Sequence, residues 1–390
     1  MFESITITRY DQKKEPGGLD LGFLLECLLF YQKVHLVVSE PGLGELITFF
    51  GEDELLRLLE NGVLVVHYEF DHLAIATHNE KGTQYHSPVS FYSPDHSLLK
   101  ALQKSLHAVS GAKNKSNRNL SRLLPRIETL RRDVSVVNAA VERLADTSFV
   151  ASAASISVRN LVPSYSRPIK FVCEREEKGF VVDTDIPFGF LNAIRSTQGK
   201  SEMSIGLILE SMCRVEADLS LSAMNLSEIA THPAGSELIK LRFSHIINRF
   251  ERSETSRERF AEEVLETKAL RYLLDKSPES ISKIVDAIID AQEFKEWLST
   301  QQATADIVLE YYRKITAKSI FDKLPAKSIR WISCAGLGLL ADFTFAGGVG
   351  TVLGNAIGAV DTFYLDSWLK GWRPNQFVDE RLRPLVKQNK

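Results

Sequence analysis

Histidine is the reactive residue type most concentrated in one part of this chain. Of nine histidines, seven (His35, His67, His72, His78, His86, His96 and His107) lie in the first 107 residues. Clustered imidazoles bind metals, move protons or change charge near neutral pH. The short spacings at which two imidazoles share a metal, HxH and HExxH, are missing. A hairpin would bring His67, His72 and His78 together, yet no carboxylate or cysteine stands beside them at ligand spacing. No metal and no other cofactor is therefore expected, and polar positions on strands and loops account for these histidines. If they formed a site, its chemistry would be that of a phosphodiester- or nucleotide-acting enzyme.

Other chemical signatures are weaker. Glu40-Pro41-Gly42-Leu43-Gly44-Glu45 lies between a predicted strand and a predicted helix, the context of an anion site at a helix N-terminus. It lacks the lysine of a P-loop and the third glycine of a dinucleotide fingerprint, and its two glutamates would repel phosphate. A structural turn is the expectation. No GxSxG elbow is present, and no cysteine has a recognisable catalytic neighbourhood. The motifs thus favour a non-enzymatic protein, with no catalytic residue assigned.

Two stretches could instead bind surfaces. Residues 111–133 carry Lys113, Lys115, Arg118, Arg122, Arg126, Arg131 and Arg132 against only Glu128 and Asp133. Lys113, Lys115, Arg118 and Arg122 are the candidate ligands for an anionic lipid surface or, with less support, a nucleic-acid backbone. A solvated charged helix explains them equally well.

The second stretch is apolar. Residues 331–369 contain no Lys or Arg, and residues 343–360, between Asp342 and Asp361, carry no charge. Ala346, Gly350, Gly354 and Gly358 recur at four-residue spacing, which places them on one helix face as a flat ridge for close backbone packing. As a helix of ~1.5 Å rise per residue, the uncharged run would span about 27 Å, close to a hydrocarbon core of ~30 Å. Lys323, Lys327 and Arg330 precede it, Lys370 and Arg373 follow, and Trp331, Tyr364, Trp368 and Trp372 stand at the flanks. Thr344, Thr351 and Asn355 weaken its hydrophobicity, and Asp342 would cost ~3 kcal/mol at a bilayer centre. A permanent span is not expected. Either the ridge is core packing, or it is stored in a soluble fold and released to a membrane or partner helix.

The elements that must position these residues follow from periodicity. Strands are expected at 4–10, 34–38, 63–69 and 73–77, the last two joined by a turn at 70–72. Helices are expected at 19–31, 43–50, 52–60 and 98–109. Residues 81–95, polar with two prolines, read as loop. Residues 111–119 are loop-like, and 120–144 has helical spacing broken or begun at Pro125. A hairpin of 168–175 and 180–185 turns at Glu176-Glu177-Lys178-Gly179. It either extends the N-terminal sheet or forms its own. Beyond 201 the pattern is helical: 204–223, 236–250, 256–275, 278–300 and 303–323. In the tail 371–377, Trp372 and Phe377 would cap the ridge, with Arg373 paired to an aspartate.

This order predicts an α+β fold in three parts: an α/β module at 1–110, a basic connector and hairpin at 111–200, and a helical domain at 201–390 containing 331–369. A chain of 390 residues with 44% hydrophobic and 25% charged content is ordinary for a globular protein. A net charge of -3 argues against a general nucleic-acid coat. Cys27, Cys173, Cys213 and Cys334 form no CxxC pair and suit reduced, buried thiols. With no signal-like N-terminus, a cytoplasmic location is expected, membrane-associated on activation.

The run from Leu19 to Tyr31, with 180–192 and the Gly371-Trp372-Arg373-Pro374-Asn375-Gln376-Phe377 tail, resembles uncharacterised bacterial accessory and defence-type proteins. Those join a short α/β N-terminal region to a helical, glycine-rich C-terminal one. The resemblance implies a bacterial cytosolic setting and an antiphage role, and it supplies no catalytic residues. The expected function is a sensor or effector whose partner is another protein, a second copy of the chain or an anionic membrane. The alternative is a scaffold whose glycine ridge is core.

Overall fold

The computed structural model describes residues 2–8, 18–92, 97–110, 119–131, 134–231, 233–265, 278–301, 306–316 and 374–388. They form an α+β fold with two sheets. The first is parallel, with strand order β6-β3-β2-β1-β9: β1 Ser4–Ile7, β2 Lys33–Val38, β3 Leu64–Glu69, β6 Ile127–Leu130 and β9 Glu228–Ala230. The second is antiparallel, with order β4-β5-β8-β7: β4 Asp71–Glu80, β5 Thr83–Tyr92, β7 Phe171–Glu176 and β8 Gly179–Thr184.

Sequence pattern explains the first core. Ile5 and Ile7, Val34, Leu36 and Val38, Leu64, Val66 and Tyr68 alternate along their strands and point to one face, where they are buried. Helices α1 Leu21–Phe30, α2 Glu40–Phe50, α3 Glu52–Glu60 and α4 Leu98–Ser110 contribute to the same core. Asp20 caps α1 by accepting the backbone N–H of Phe23 at 3.0 Å. The anion-like stretch at 40–45 is the first turn of α2. Glu45 accepts the N–H of Leu19 at 2.9 Å and Glu40 pairs with Lys104 at 2.5 Å, so both glutamates serve the fold.

From the C-terminal half, α9 Pro233–Glu263, α10 Pro278–Asp290, α11 Gln292–Ser299, α12 Ile307–Thr316 and the short α13 Pro374–Phe377 complete this core. Aromatic rings join them: Phe30 meets Phe260 at 5.7 Å and Phe294 at 6.0 Å, and Phe294 stacks on Phe377 at 5.0 Å. Buried Arg257 of α9 donates to the Cys27 sulfur at 3.3 Å and lies over the Phe23 ring at 5.2 Å.

A second core is built on the antiparallel sheet by α5 Val134–Leu144, α6 Thr147–Leu161, α7 Phe188–Thr197 and α8 Ile205–Met224. The 171–184 hairpin does not stand alone. It joins β4 and β5 through His86 opposite Phe180. Gly179, at φ +139°, makes this join possible, since a Cβ there would stand 2.6 Å from Ser87 Oγ and 2.9 Å from the His86 carbonyl oxygen.

Several expectations are corrected. Residues 83–92, expected as loop, are strand β5, with Pro88 opposite Ile75. Its missing N–H is tolerated because the pairing of β5 with β8 is made at His86, short of the proline. The helical spacing of 120–144 does break at Pro125, but the residues that follow do not resume it at once: after the turn at Leu124–Arg126, residues 127–130 pair with the open edge of β3 as β6. β3 and β4 form no hairpin, since the chain passes from one sheet to the other at Phe70, whose N–H bonds Leu130 O at 3.2 Å. Residues 233–263 are a single helix, and β9 in the helical half adds to the edge of β1.

Cys27, Cys173 and Cys213 are buried free thiols, and burial pushes Cys27 and Cys173 up to about 12. Lys295 of α11 is fully buried, and its Nζ has no hydrogen-bond partner among the described residues. Burial pushes this amine down to about 7. A neutral folded amine takes up a proton on unfolding, so its cost is complete below about pH 7 and fades toward pH 10.5. Lys295→Met should therefore stabilise the protein at pH 7 by on the order of 2–4 kcal/mol, with less gain at pH 10. Urea unfolding at both pH values measures this, and an equal or lower midpoint in the variant at pH 7 would contradict it.

Candidate functional site

A parallel sheet is covered on both faces, so its second face must also be accounted for. Here that face is mixed, with histidines and threonines set among Val37, Val65 and Ile229. Thr6 and Thr8 follow the register of His35 and Val37 on β2, and Val65 and His67 on β3, with Glu128 beside His67 on β6. His35 is 7% exposed and His67 4%. His35 Nδ1 lies 3.0 Å from His67 Nε2, with the rings nearly parallel at 19°. His67 Nδ1 lies 3.0 Å from Glu128 Oε2, a carboxylate that is largely exposed.

Hydrogen-bond capacity assigns the protons. Glu128 only accepts, so His67 carries its hydrogen on Nδ1 and accepts at Nε2. His35 then donates from Nδ1, which leaves its own Nε2 as the basic nitrogen. Burial holds His35 down at about 4, helped by His67 and Lys33 and opposed by Glu128. The arrangement is a neutral imidazole oriented by a second imidazole, itself oriented by a carboxylate. Such a chain can accept a proton at one end and pass charge toward a surface carboxylate at the other.

The same face carries further polar groups on the β1/β9 side. Thr8 donates to Asp218 of α8 at 3.0 Å, Thr6 Oγ1 and Ser227 Oγ lie 2.6 Å apart, and Asn225 donates to Thr6 at 3.2 Å. From β1 the chain builds β2, β3 and β6 to one side and β9 to the other, so Thr8 and Thr231 flank a topological switch point. Thr231 Oγ1 is buried without a hydrogen-bond partner among the described residues, and a Cβ on Gly235 would stand 2.8 Å from it.

Sequence reasoning placed the right residue type but the wrong set. His67 does not meet His72 and His78, because those two lie on β4 of the other sheet. His78 stacks on Tyr85 at 5.3 Å. His86 is buried, its Nδ1 2.9 Å from Thr77 Oγ1. The partners of His67, His35 and Glu128, were missed as a group. Alternation within β2 and β3 gives the only signal, a histidine on the face opposite the aliphatic residues. Among the described residues no group of three His, Cys, Asp or Glu side chains is arranged to hold a metal.

Of the candidate anion ligands, Arg122 lies 3.6 Å from Asp53, while Lys113, Lys115 and Arg118 lie outside the described residues. The ridge residues Ala346, Gly350, Gly354 and Gly358, with Asp342 and Asp361, also lie outside them, as do Trp372 and Arg373. Phe377 is buried on Phe294.

The fold thus defines an α+β protein with a buried histidine pair on a parallel sheet. Comparison with protein-family models, with curated proteins and with solved structures finds no match to this chain.

The depressed basicity of His35 predicts a pH signature. Its stabilising neutral state is fully effective above about 6.5 and is lost as pH falls toward about 4. In His35→Gln, the stability deficit relative to wild type should shrink by about 1–2 kcal/mol between pH 7 and pH 5. Urea titrations of both proteins at the two pH values test this, and a pH-independent difference would show that His35 does not titrate in this way.

Proposed function

We propose that the protein is a non-enzymatic sensor and effector. Its N-terminal α/β part receives a signal, and its glycine-rich C-terminal segment acts on a membrane or on a partner helix. The observation that carries this reading is the uncharged run 343–360, with Gly350, Gly354 and Gly358 in phase and basic and aromatic residues at both flanks. Among the described residues no helix is long and apolar enough to cross a membrane. Seven glycines between 336 and 358 would each cost a helix about 1 kcal/mol against alanine, which favours a segment that is helical only when closely packed.

The His35–His67–Glu128 chain supports the receiving role, because a buried titratable network can change charge without dismantling a core. A bacterial antiphage effector, held in the cytoplasm and turned onto the membrane or onto copies of itself, is the setting that fits both halves. The same chain favours a second reading, a phosphodiester- or nucleotide-acting enzyme in which His35 is the general base.

Flotation and dye release with vesicles, with and without anionic lipid, test the first reading. Wild type should float with anionic vesicles and release dye well above background, and Gly350→Leu/Gly354→Leu should lose both while keeping its circular dichroism. A folded wild type that neither floats nor leaks would overturn membrane action in favour of a scaffold with the ridge as core. Phosphodiester hydrolysis by wild type, lost in His67→Ala, would establish the enzyme instead.

A further inference from the structure

A cavity of about 280 Å³ opens where the end of α6 meets the strap that leads into β7. Its lining combines Arg159 and Arg167 with the hydroxyl residues Ser155, Tyr165 and Ser166, over an apolar floor that includes Val158 and Ile169. We propose that this pocket binds a small phosphate monoester. The proposal is independent of the sheet face and of membrane action.

Charge is the first argument. Exposed arginines elsewhere on the molecule have acidic partners: Arg57 pairs with Asp286, Arg126 with Glu60, Arg175 with Glu142 and Arg259 with Asp306. Arg159 and Arg167 have no such partner among the described residues. Two guanidiniums lining one concavity, with no acidic partner among the described residues, suit a dianion, and their forked donors match phosphate oxygens. The negative end of α6 does not oppose this, because buried Arg195 donates to Leu161 O at 2.9 Å and takes up a terminal carbonyl.

Preorganisation is the second. The strap is pinned at both ends. Val162 N–H bonds Val158 O at 2.8 Å and Tyr165 N–H bonds Val162 O at 2.9 Å, while Lys170 N–H bonds Asp185 at 2.6 Å and Thr184 donates to Lys170 O at 2.7 Å. The pocket therefore exists before a ligand arrives. Its volume exceeds a phosphate ion but sits just below the ~300 Å³ at which drug-sized sites begin, which limits the ligand to about one ring. Tyr165, Pro168 and Ile169 would contact that ring.

A phosphate monoester also occurs as a lipid headgroup, and the test separates the two sources. Titration calorimetry with phenyl phosphate at constant ionic strength should show saturable binding to the full chain. Affinity should fall at least tenfold in Arg159→Gln/Arg167→Gln and stay unchanged in Arg175→Gln, with all three proteins unfolding at similar temperature. Vesicles of phosphatidic acid in phosphatidylcholine should not be retained through these arginines. No saturable binding by wild type, equal affinity in the double variant, or vesicle binding without phenyl phosphate binding would each overturn the assignment.

Discussion

The parallel sheet depends on one constraint: it is covered on both faces, and one of them sets buried histidine and threonine among Val37, Val65 and Ile229. His35, His67, Thr6 and Thr8 on that face are removed from water and must find hydrogen-bond partners. The aliphatic face is simple to bury. The polar groups of the other face are stable only because partners arrive from distant parts of the chain, with His35 meeting His67, His67 meeting Glu128, and Thr8 meeting Asp218. A single unpaired member would cost about 1–3 kcal/mol, so the network also specifies which strands lie side by side.

That constraint links the two cores. Ile229 of β9 belongs to the second core while Ala230 belongs to the first, so the parallel sheet is shared between them. Helix α8 spans the junction, with Cys213 and Met212 in the second core and Asp218 on the sheet face. The other side of the sheet is held by rings that run from Phe30 through Phe294 to Phe377 and draw the C-terminal α13 onto the N-terminal α1. Buried groups with no partner among the described residues, such as Lys295 Nζ and Thr231 Oγ1, are places where this packing sacrifices stability.

The titratable pair His35 and His67 is buried, while Arg159 and Arg167 are exposed with no acidic partner among the described residues. His35 is kept neutral by burial and cannot act as a static ion-pair partner. It can respond to a proton or to a ligand that changes its surroundings. Arg159 and Arg167 are the opposite case, exposed and permanently charged, and suited to holding an anion in place.

Local chemistry was legible in the sequence wherever an element is decided by its own residues. The α+β class, helix α3 at 52–60, the 171–184 hairpin and the buried thiols Cys27, Cys173 and Cys213 all follow from periodicity, turn residues and composition. Strands β5, β6 and β9 were not legible. Pro88 marks a loop by local rules, 127–130 is short enough to be absorbed into a helical pattern, and β9 is three residues long. Strands β6 and β9 form because distant edges offer unpaired N–H and C=O groups, which no local window contains, whereas β5 pairs with adjacent β4 across the turn at Lys81-Gly82. The histidine site shows the same division. The sequence alone determined that imidazoles are concentrated in the first 107 residues. Only the tertiary structure decided that His67 pairs with His35 and Glu128 and not with His72 or His78, because strand order, not separation along the chain, sets which side chains share a face.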